Sequence, residues 1–259
     1  MANHIHPTAV IDPAAGLGSG IRVGPYAVIE ADAVIGDGCS IGAHSVIKRH
    51  TRMGRDNRVH EHVTLGGDPQ DLAFQPCVSH LEIGADNVFR ESVTVHRGSR
   101  PNGVTRIGDG NYLMAYSHVA HDCTLGARII LANCAALGGY VTVGDRAFLS
   151  AHVAVHQFCR IGRIAMVSGL AGVNMDCLPF LMVTGAPARA VGLNLVGLKR
   201  AGIASEEVAA LKRAYRLLFL SETPVREALA DLAAWPSPLV REWVEFAAGA
   251  KRGFTRRRP

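Results

Sequence analysis

The residues best suited to chemistry in this sequence lie in the stretch His118-Val119-Ala120-His121-Asp122-Cys123. It places two histidines three residues apart, with an aspartate directly after the second. An imidazole gains and loses a proton near neutral pH, so a well-placed histidine acts as a general base. We therefore predict that His121 is a catalytic base and that the rest of the chain is built to hold it.

The element that must hold this stretch is a repeat of six residues. Large apolar residues recur at every sixth position from Ile5 to Val173, and the repeat fails only at Asp71, Cys77 and Pro101. A period of six fits neither a helix nor an amphipathic strand. It fits a solenoid in which each hexapeptide forms one short strand and one corner, and three hexapeptides close a coil of 18 residues. The sequence therefore predicts a parallel β-helix.

Two interruptions of the repeat keep its phase. They fall near residues 67–81 and 99–106, where the apolar residues give way to polar residues, glycine and proline. Since the phase continues beyond each of them, we expect both segments to leave the coil as loops. Loops on a rigid framework commonly carry functional residues.

Three helices are predicted after the solenoid. One runs from an N-cap at Ser205 to about Leu220, and two more follow the pairs Thr223-Pro224 and Ser237-Pro238, each an N-cap residue before a proline. We expect the β-helix to occupy residues 1–190 and a helical domain to occupy residues 191–259.

The coil length suggests what His121 does. In a coil of 18 residues, position i lies beside position i+18 at about 4.8 Å, which places His121 next to Gly139. A base beside an unshielded backbone N–H is half of an acyl-transfer site, because the N–H can stabilise an oxyanion. His118 is on the same turn, and His156 falls near the same face two coils later. Asp71, in the first loop, is placed to orient an imidazole.

Other interpretations of the histidines and cysteines stay open. Corner histidines in a repeat protein are usually solvated, and we interpret His44, His50, His80 and His152 in this way. Gamma-class carbonic anhydrases resemble this solenoid and bind zinc through three histidines, but their paired histidines are five apart rather than three. Cys123 occupies a small interior position and is expected to point inward, so it is a poor nucleophile.

Composition excludes several classes of protein. A formal charge of +5 on 259 residues is not a nucleic-acid signature by itself. We expect no signal peptide and no integral membrane segment, because no apolar run is long enough to span a bilayer. The six cysteines lack C-x-x-C spacing, which favours a reducing, cytoplasmic location without a metal centre.

Four stretches resemble the family of UDP-N-acetylglucosamine acyltransferases, hexapeptide-repeat enzymes of the first step of lipid A synthesis. They are Arg90–Gly98, the HVAHDC stretch, Val155–Cys159 and Asn194–Arg200. The resemblance implies a left-handed β-helix and a homotrimer with its sites between neighbouring solenoids. It also implies an acyl carrier protein thioester as donor, UDP-N-acetylglucosamine as acceptor and no cofactor.

The same resemblance implies roles for individual residues. His121 matches the general base, Gly139 the oxyanion donor and Asp71 the loop aspartate that contacts base and sugar. Gly169 matches a position where side-chain size limits acyl length. The remaining matches are positions that contact the nucleotide or another part of the substrate: Gln70, His118, Tyr140, His156, Gln157, Asn194 and Arg200.

Three positions depart from the family pattern. Tyr140 replaces a histidine after the oxyanion glycine, Ala73 replaces a lysine in the first loop, and Ala201 replaces a second basic residue. Tyr140 leaves open an acceptor with a 3-amino group in place of the 3-hydroxyl. A zinc enzyme and a nucleotide-sugar binder without catalysis are the remaining alternatives.

Overall fold

A computed structural model describes residues 2–256 and shows a left-handed parallel β-helix followed by four helices. Three sheets form the sides of the triangular coil. Sheet 1 contains β1 (His4–Ile5), β4 (Arg22–Val23), β7 (Ser40–Ile41), β10 (Arg58–Val59), β13 (Val88–Phe89), β16 (Tyr112–Leu113), β19 (Ile130–Leu131), β22 (Phe148–Leu149), β25 (Met166–Val167), β27 (Leu181–Thr184) and β28 (Arg189–Leu193). Sheet 2 contains β2 (Val10–Ile11), β5 (Val28–Ile29), β8 (Val46–Ile47), β11 (Thr64–Gly67), β14 (Thr94–His96), β17 (His118–Val119), β20 (Ala136–Leu137), β23 (Ala154–Val155) and β26 (Gly172–Val173). Sheet 3 contains β3 (Gly16–Leu17), β6 (Val34–Ile35), β9 (Thr51–Met53), β12 (His80–Ile83), β15 (Val104–Ile107), β18 (Thr124–Leu125), β21 (Thr142–Val143) and β24 (Arg160–Ile161).

The strand register confirms the predicted coil. His118 pairs with Ala136, and hydrogen bonds such as that between Val63 and Ser45 join residues 18 apart. The separation rises to 30 residues across the first loop and to 24 across the second, as the ladder of Asn57, Asn87 and Asn111 shows. Both values are multiples of six, so the same side chains keep facing inward after each loop.

Close packing of successive coils explains why glycine so often follows the apolar residue. At Gly36, a Cβ atom would lie 2.6 Å from the carbonyl carbon of Gly54 on the next coil. No other residue fits without moving that backbone. The apolar residues of the repeat fill the interior, and from Val23 to Val173 they are buried.

The three predicted helices are confirmed, and a fourth, shorter helix precedes them. The sequence did not predict α1, because six residues that include Gly197 carry no periodic signal. The helix is stabilised by Asn194, whose side-chain oxygen accepts a hydrogen bond from the Gly197 N–H at 3.0 Å. The helices are α1 (Leu195–Arg200), α2 (Ser205–Leu220), α3 (Val225–Ala233) and α4 (Pro238–Ala248).

Two of the three predicted caps are wrong. Ser237 does cap α4, accepting from the Val240 N–H at 3.3 Å. Ser205 is already the first residue of α2, and its hydroxyl donates to Glu206. The N-cap of α3 is Pro224 rather than Thr223, and no side chain bonds to the exposed N–H groups there.

The helices pack on the C-terminal end of the β-helix. The indole N–H of Trp243 donates to the carbonyl of Pro179 at 2.7 Å. Arg163 forms a bidentate ion pair with Glu242. The domain division at residue 190 stays a prediction. None of the helices in residues 2–256 is long and apolar enough to cross a bilayer.

Candidate active site

His121 lies at the corner between sheets 2 and 3, and its partner is the next residue. Its Nδ1 atom is 2.8 Å from Oδ2 of Asp122, and the two side chains are only 10% and 11% exposed. A carboxylate only accepts, so the imidazole proton belongs on Nδ1. The Nε2 atom makes no hydrogen bond within the described chain. Its lone pair is therefore free to take a proton from a substrate.

Asp122 is held by the second loop. Its backbone has a φ of 58°, a left-handed conformation that aspartate tolerates better than most residues. Its N–H donates to the hydroxyl of Thr105 at 2.8 Å, and its Oδ2 accepts the N–H of Ser99 at 3.0 Å. The loop thus fixes the carboxylate that fixes the imidazole of His121. Sequence reasoning noted Asp122 but assigned it no role.

Gly139 lies directly beneath His121, as the predicted register requires. A Cβ atom at Gly139 would be 2.6 Å from Cε1 and 2.7 Å from Nε2 of His121. The Gly139 N–H donates to no group among residues 2–256, although Tyr140 next to it bonds to the His121 carbonyl at 3.0 Å. The structure thus brings together a free imidazole nitrogen and a free backbone donor.

Asp71 and Gln70 lie in the exposed first loop and make no hydrogen bond to His121 or Gly139 within residues 2–256. Oδ1 of Asp71 accepts the N–H of Ala73 at 2.9 Å, which is a bond within the loop. Within one chain, the carboxylate that orients His121 is therefore that of Asp122 and not that of Asp71.

The ring of Tyr140 lies beside His121. This ring meets the His121 ring edge to face at 5.3 Å between centroids and stacks on Phe158 at 4.8 Å. Its hydroxyl is 3.1 Å from Oγ of Ser99, and Arg100 lies over the ring at 5.7 Å. The second loop therefore contacts both Asp122 and the ring of Tyr140.

His156 and Gln157 are exposed at the same corner, one coil beyond Gly139. A guanidinium nitrogen of Arg252 lies 2.8 Å from Nδ1 of His156. Nδ1 also lies 3.1 Å from the carbonyl oxygen of Gln157. The guanidinium can only donate and the carbonyl can only accept, so the two contacts call for opposite tautomers of His156. The C-terminal segment thus contributes a side chain to the site, which the repeat pattern gave no means of predicting.

A second group of histidines lies behind His121. Nδ1 of His118 is 2.7 Å from the hydroxyl of Thr94, and His118 meets His96 edge to face at 4.7 Å. Burial lowers the pKa of His118 and lowers that of His96 to about 4, and neighbouring imidazoles act in the same direction. Nδ1 of His96 is buried without a partner in the described chain. His96 is therefore a buried, neutral imidazole next to His118, and sequence reasoning left it without a role.

The other predicted substrate contacts lie at a different corner, between sheets 3 and 1. Asn194 and Arg200 line a mostly apolar pocket of about 690 Å³, together with Phe148 and Met166. Gly169 lies elsewhere again and is exposed. One chain therefore divides the predicted substrate contacts between separate surfaces.

A zinc site of the carbonic anhydrase kind would need three donors close together. Among residues 2–256, one group of this kind has donor atoms within 4.8 Å of one another, and it consists of His60, Glu61 and Glu91. It includes neither histidine of the HVAHDC stretch. Its Glu91 already pairs with Arg90 at 2.9 Å.

Two known protein families match parts of the chain. Residues 176–255 match the family described as UDP N-acetylglucosamine O-acyltransferase, domain 2. The bacterial transferase hexapeptide family matches residues 15–49, 32–67 and 105–139.

Similar proteins extend over nearly the whole chain. The acyl-[acyl-carrier-protein]–UDP-N-acetylglucosamine O-acyltransferase of Stenotrophomonas maltophilia is 48% identical over 259 residues, covering 98% of each protein. A relative of the same name in Synechocystis is 44% identical over 182 residues, which cover 70% of this chain and 66% of that protein.

Solved structures show the same likeness. A UDP-N-acetylglucosamine acyltransferase from Bacteroides fragilis superposes with a TM-score of 0.95 at 35% identity, covering 97% of this chain and 100% of that one. The enzyme from Campylobacter jejuni gives a TM-score of 0.93 at 36% identity, covering 98% of this chain and 100% of that one.

Proposed function

The chain belongs to the UDP-N-acetylglucosamine O-acyltransferase family, and from this we propose that it moves an acyl chain from acyl carrier protein to the 3-position of UDP-N-acetylglucosamine. The donor and acceptor are those in the names of its relatives. The observation that carries the proposal is the juxtaposition of a free Nε2 on His121 with the free N–H of Gly139. The product is a 3-acylated sugar nucleotide, and the group transferred is a 3-hydroxyacyl chain. This reaction is the first step of lipid A synthesis.

The mechanism follows from the protonation of His121. Nε2 takes the proton of the sugar 3-hydroxyl as its oxygen attacks the thioester carbon, and the Gly139 N–H donates to the resulting oxyanion. Collapse breaks the carbon–sulfur bond, and the imidazolium returns its proton to the leaving thiolate. Asp122 stabilises the imidazolium through the bond to Nδ1. General base catalysis contributes about 10²–10⁴-fold and one oxyanion donor about 10²–10³-fold.

The division of the predicted contacts supports a homotrimer. His121 and His156 lie at one corner of the triangular coil, whereas Asn194 and Arg200 line a pocket at another. One chain cannot close both groups on one substrate. In a ring of three chains, the first corner of one chain faces the second corner of its neighbour, and each site is then completed by two chains.

Asp71 and Gln70 belong to the acceptor side of this site. Their loop is exposed, and within residues 2–256 the hydrogen bonds of Asp71 are within the loop, to the N–H groups of Ala73 and Phe74. The carboxylate is thus available to a sugar once the acceptor and a neighbouring chain are present. A cytoplasmic location is part of the same proposal, since all six cysteines are free thiols.

The experiment that tests the proposal is mass spectrometry of products from matched acceptors. The purified protein is given 3-hydroxyacyl carrier protein thioesters of several lengths with UDP-N-acetylglucosamine or with its 3-amino analogue. We expect an ester of the first acceptor. An amide formed only from the second would transfer the proposal to the amino sugar, and zinc-dependent activity without acyl transfer would overturn it.

Tyr140 offers a sharper arm of the same experiment. Its hydroxyl already bonds to Ser99 at 3.1 Å, so the ring is held in place beside His121. In Tyr140→His, we expect the ratio of kcat/KM between the two acceptors to change. We expect a smaller change in the preference among the donor lengths. Tyr140→Phe keeps the stack on Phe158 and serves as the control.

A further inference from the structure

The buried side chain of Arg97 contacts both ends of the first loop, which in the structure comprises residues 68–79 between β11 and β12. Its backbone N–H donates to the carbonyl of Gly67 at 3.0 Å. Its Nε and Nη2 atoms lie 3.0 and 2.8 Å from Oδ1 of Asp68 at the start of the loop. Its Nη1 atom lies 2.6 Å from the carbonyl oxygen of Cys77 and 2.7 Å from Oγ of Ser79 at the end.

The middle of the loop also depends on this side chain. The guanidinium of Arg97 lies over the ring of Phe74 at 5.4 Å. Other hydrogen bonds of residues 68–77 stay inside that segment, where Ala73 and Phe74 donate to Asp71. Within residues 2–256, every hydrogen bond from residues 68–77 to the rest of the protein is therefore made by Arg97.

The chemistry of the contact requires arginine. Its planar guanidinium offers five donors in a fixed fork, whereas lysine offers a point charge that cannot reach both ends of the loop together. The Arg97 side chain is only 9% exposed, while its carboxylate partner Asp68 is 72% exposed. A buried cation is costly unless its donors are satisfied. The loop satisfies them, and the same bonds restrict the loop.

We infer that Arg97 is a positioning residue that sets the placement of Gln70 and Asp71 for the acyl-transfer reaction. The inference rests on the proposed function, in which Asp71 contacts the acceptor. Arg97 does not touch the reacting atoms, and it acts through the loop. A displaced loop leaves the His121 base intact and misplaces the acceptor.

The test compares Arg97→Lys and Asp68→Asn with Arg106→Lys and Glu82→Gln. The control pair Arg106 and Glu82 is an ion pair at 3.2 Å on the exposed side of sheet 3, with side chains 55% and 47% exposed. We expect Arg97→Lys to lower kcat/KM by about 10- to 100-fold and Asp68→Asn to lower it less. Exchange of the backbone amide hydrogens of residues 68–78 should become faster in both Arg97→Lys and Asp68→Asn. The controls should change neither.

A double-mutant cycle separates positioning from general stability. In an Asp71→Ala background, Arg97→Lys should lower kcat/KM by less than about threefold, because the side chain that the loop positions is already absent. A purely structural role gives the same fold-loss in both backgrounds. If Arg97→Lys fails to fold, Asp68→Asn replaces it in the cycle, since Asp68 is exposed.

The outcomes distinguish this inference from the proposed function. Wild-type protein that transfers no acyl chain overturns the proposed function. Amide hydrogen exchange of the loop in Asp68→Asn still shows whether the contact between Arg97 and Asp68 restricts the loop. Active wild-type protein with normal rates and normal loop exchange in Arg97→Lys and Asp68→Asn overturns the inference alone. Additive losses with Asp71→Ala also overturn it.

Discussion

Nδ1 of His121 lies 2.8 Å from Oδ2 of Asp122, its neighbour in sequence, although adjacent residues in a strand would point to opposite faces. The contact exists because Asp122 occupies a corner with a φ of 58°. The corner turns the carboxylate back toward the imidazole, and the N–H of Ser99 holds it there at 3.0 Å. The hydrogen bond that orients His121 is therefore local in sequence and depends on a distant loop.

His121→Ala should remove the base while leaving the coil intact. We expect kcat/KM to fall by about 10²–10⁴-fold, the usual contribution of a general base. Circular dichroism and the oligomeric mass should not change, since His121 is at a corner and outside the apolar interior. His152→Ala, at an exposed corner two coils away, is the matched control. Near-normal turnover in His121→Ala would exclude it as the base.

Asp122→Asn should keep the contact with Nδ1 and lose its charge. The amide oxygen can still accept from His121 and Ser99, so the tautomer is preserved and only the imidazolium loses stabilisation. We expect kcat to fall about 10²-fold, less than the roughly 10⁴-fold that follows when a base takes the wrong tautomer. KM for the UDP-sugar should hold steady. Asp71→Asn, measured in parallel, should instead raise that KM, and the reverse pattern would exchange the two roles.

Gly139→Ala should move the base. The added Cβ would stand 2.6 Å from Cε1 of His121, a distance that carbon atoms do not tolerate. A displacement of the ring on the order of 1 Å costs about 10²-fold in rate. Gly192→Ala is the control, since a Cβ at Gly192 meets nothing within 4 Å. Rates of the two variants within a factor of two of each other would show that the His121–Gly139 contact has no catalytic importance.

His96 should make the protein less stable in acid. Burial lowers its pKa from 6.5 to about 4, so below pH 6.5 the unfolded chain binds a proton that the folded chain does not. Stability is therefore fully present above pH 6.5 and falls as the pH approaches 4, by about 3 kcal/mol for this residue. His118, whose pKa burial also lowers, adds to the same fall.

Urea unfolding between pH 7.5 and 4 at one protein concentration measures this effect. The slope of unfolding free energy against pH should decrease in His96→Gln and stay as in the wild type in His152→Gln. An unchanged slope in His96→Gln would contradict a neutral, buried imidazole, whatever the absolute stability of that variant.

The residues that form the interior could be predicted, and those that meet across loops could not. The apolar residues of the repeat from Val23 to Val173 face a narrow core that repeats every 18 residues, so spacing alone places Gly139 beside His121. The role of Asp122 depends on the path of the second loop, which no periodicity encodes.

Short and nonlocal features escaped prediction for the same reason. Helix α1 has six residues and begins because the Asn194 side chain accepts from the Gly197 N–H. Arg252 reaches His156 from 96 positions away in sequence. Such contacts depend on the tertiary packing of segments outside the repeat, and the repeat pattern carries no information on that packing.

Before the first loop, paired strands are separated by 18 residues, and this has a consequence for how such a gene can change length. Loss of one residue between Ile29 and Ile35 would put every later side chain out of phase with the coil before it. Loss of a whole 18-residue coil would restore the phase and shorten the rod by about 4.8 Å. Residues 2–63 of the described chain contribute no residue to the candidate site. Insertions and deletions in this first quarter of the gene should therefore survive in steps of 54 base pairs, or at loops.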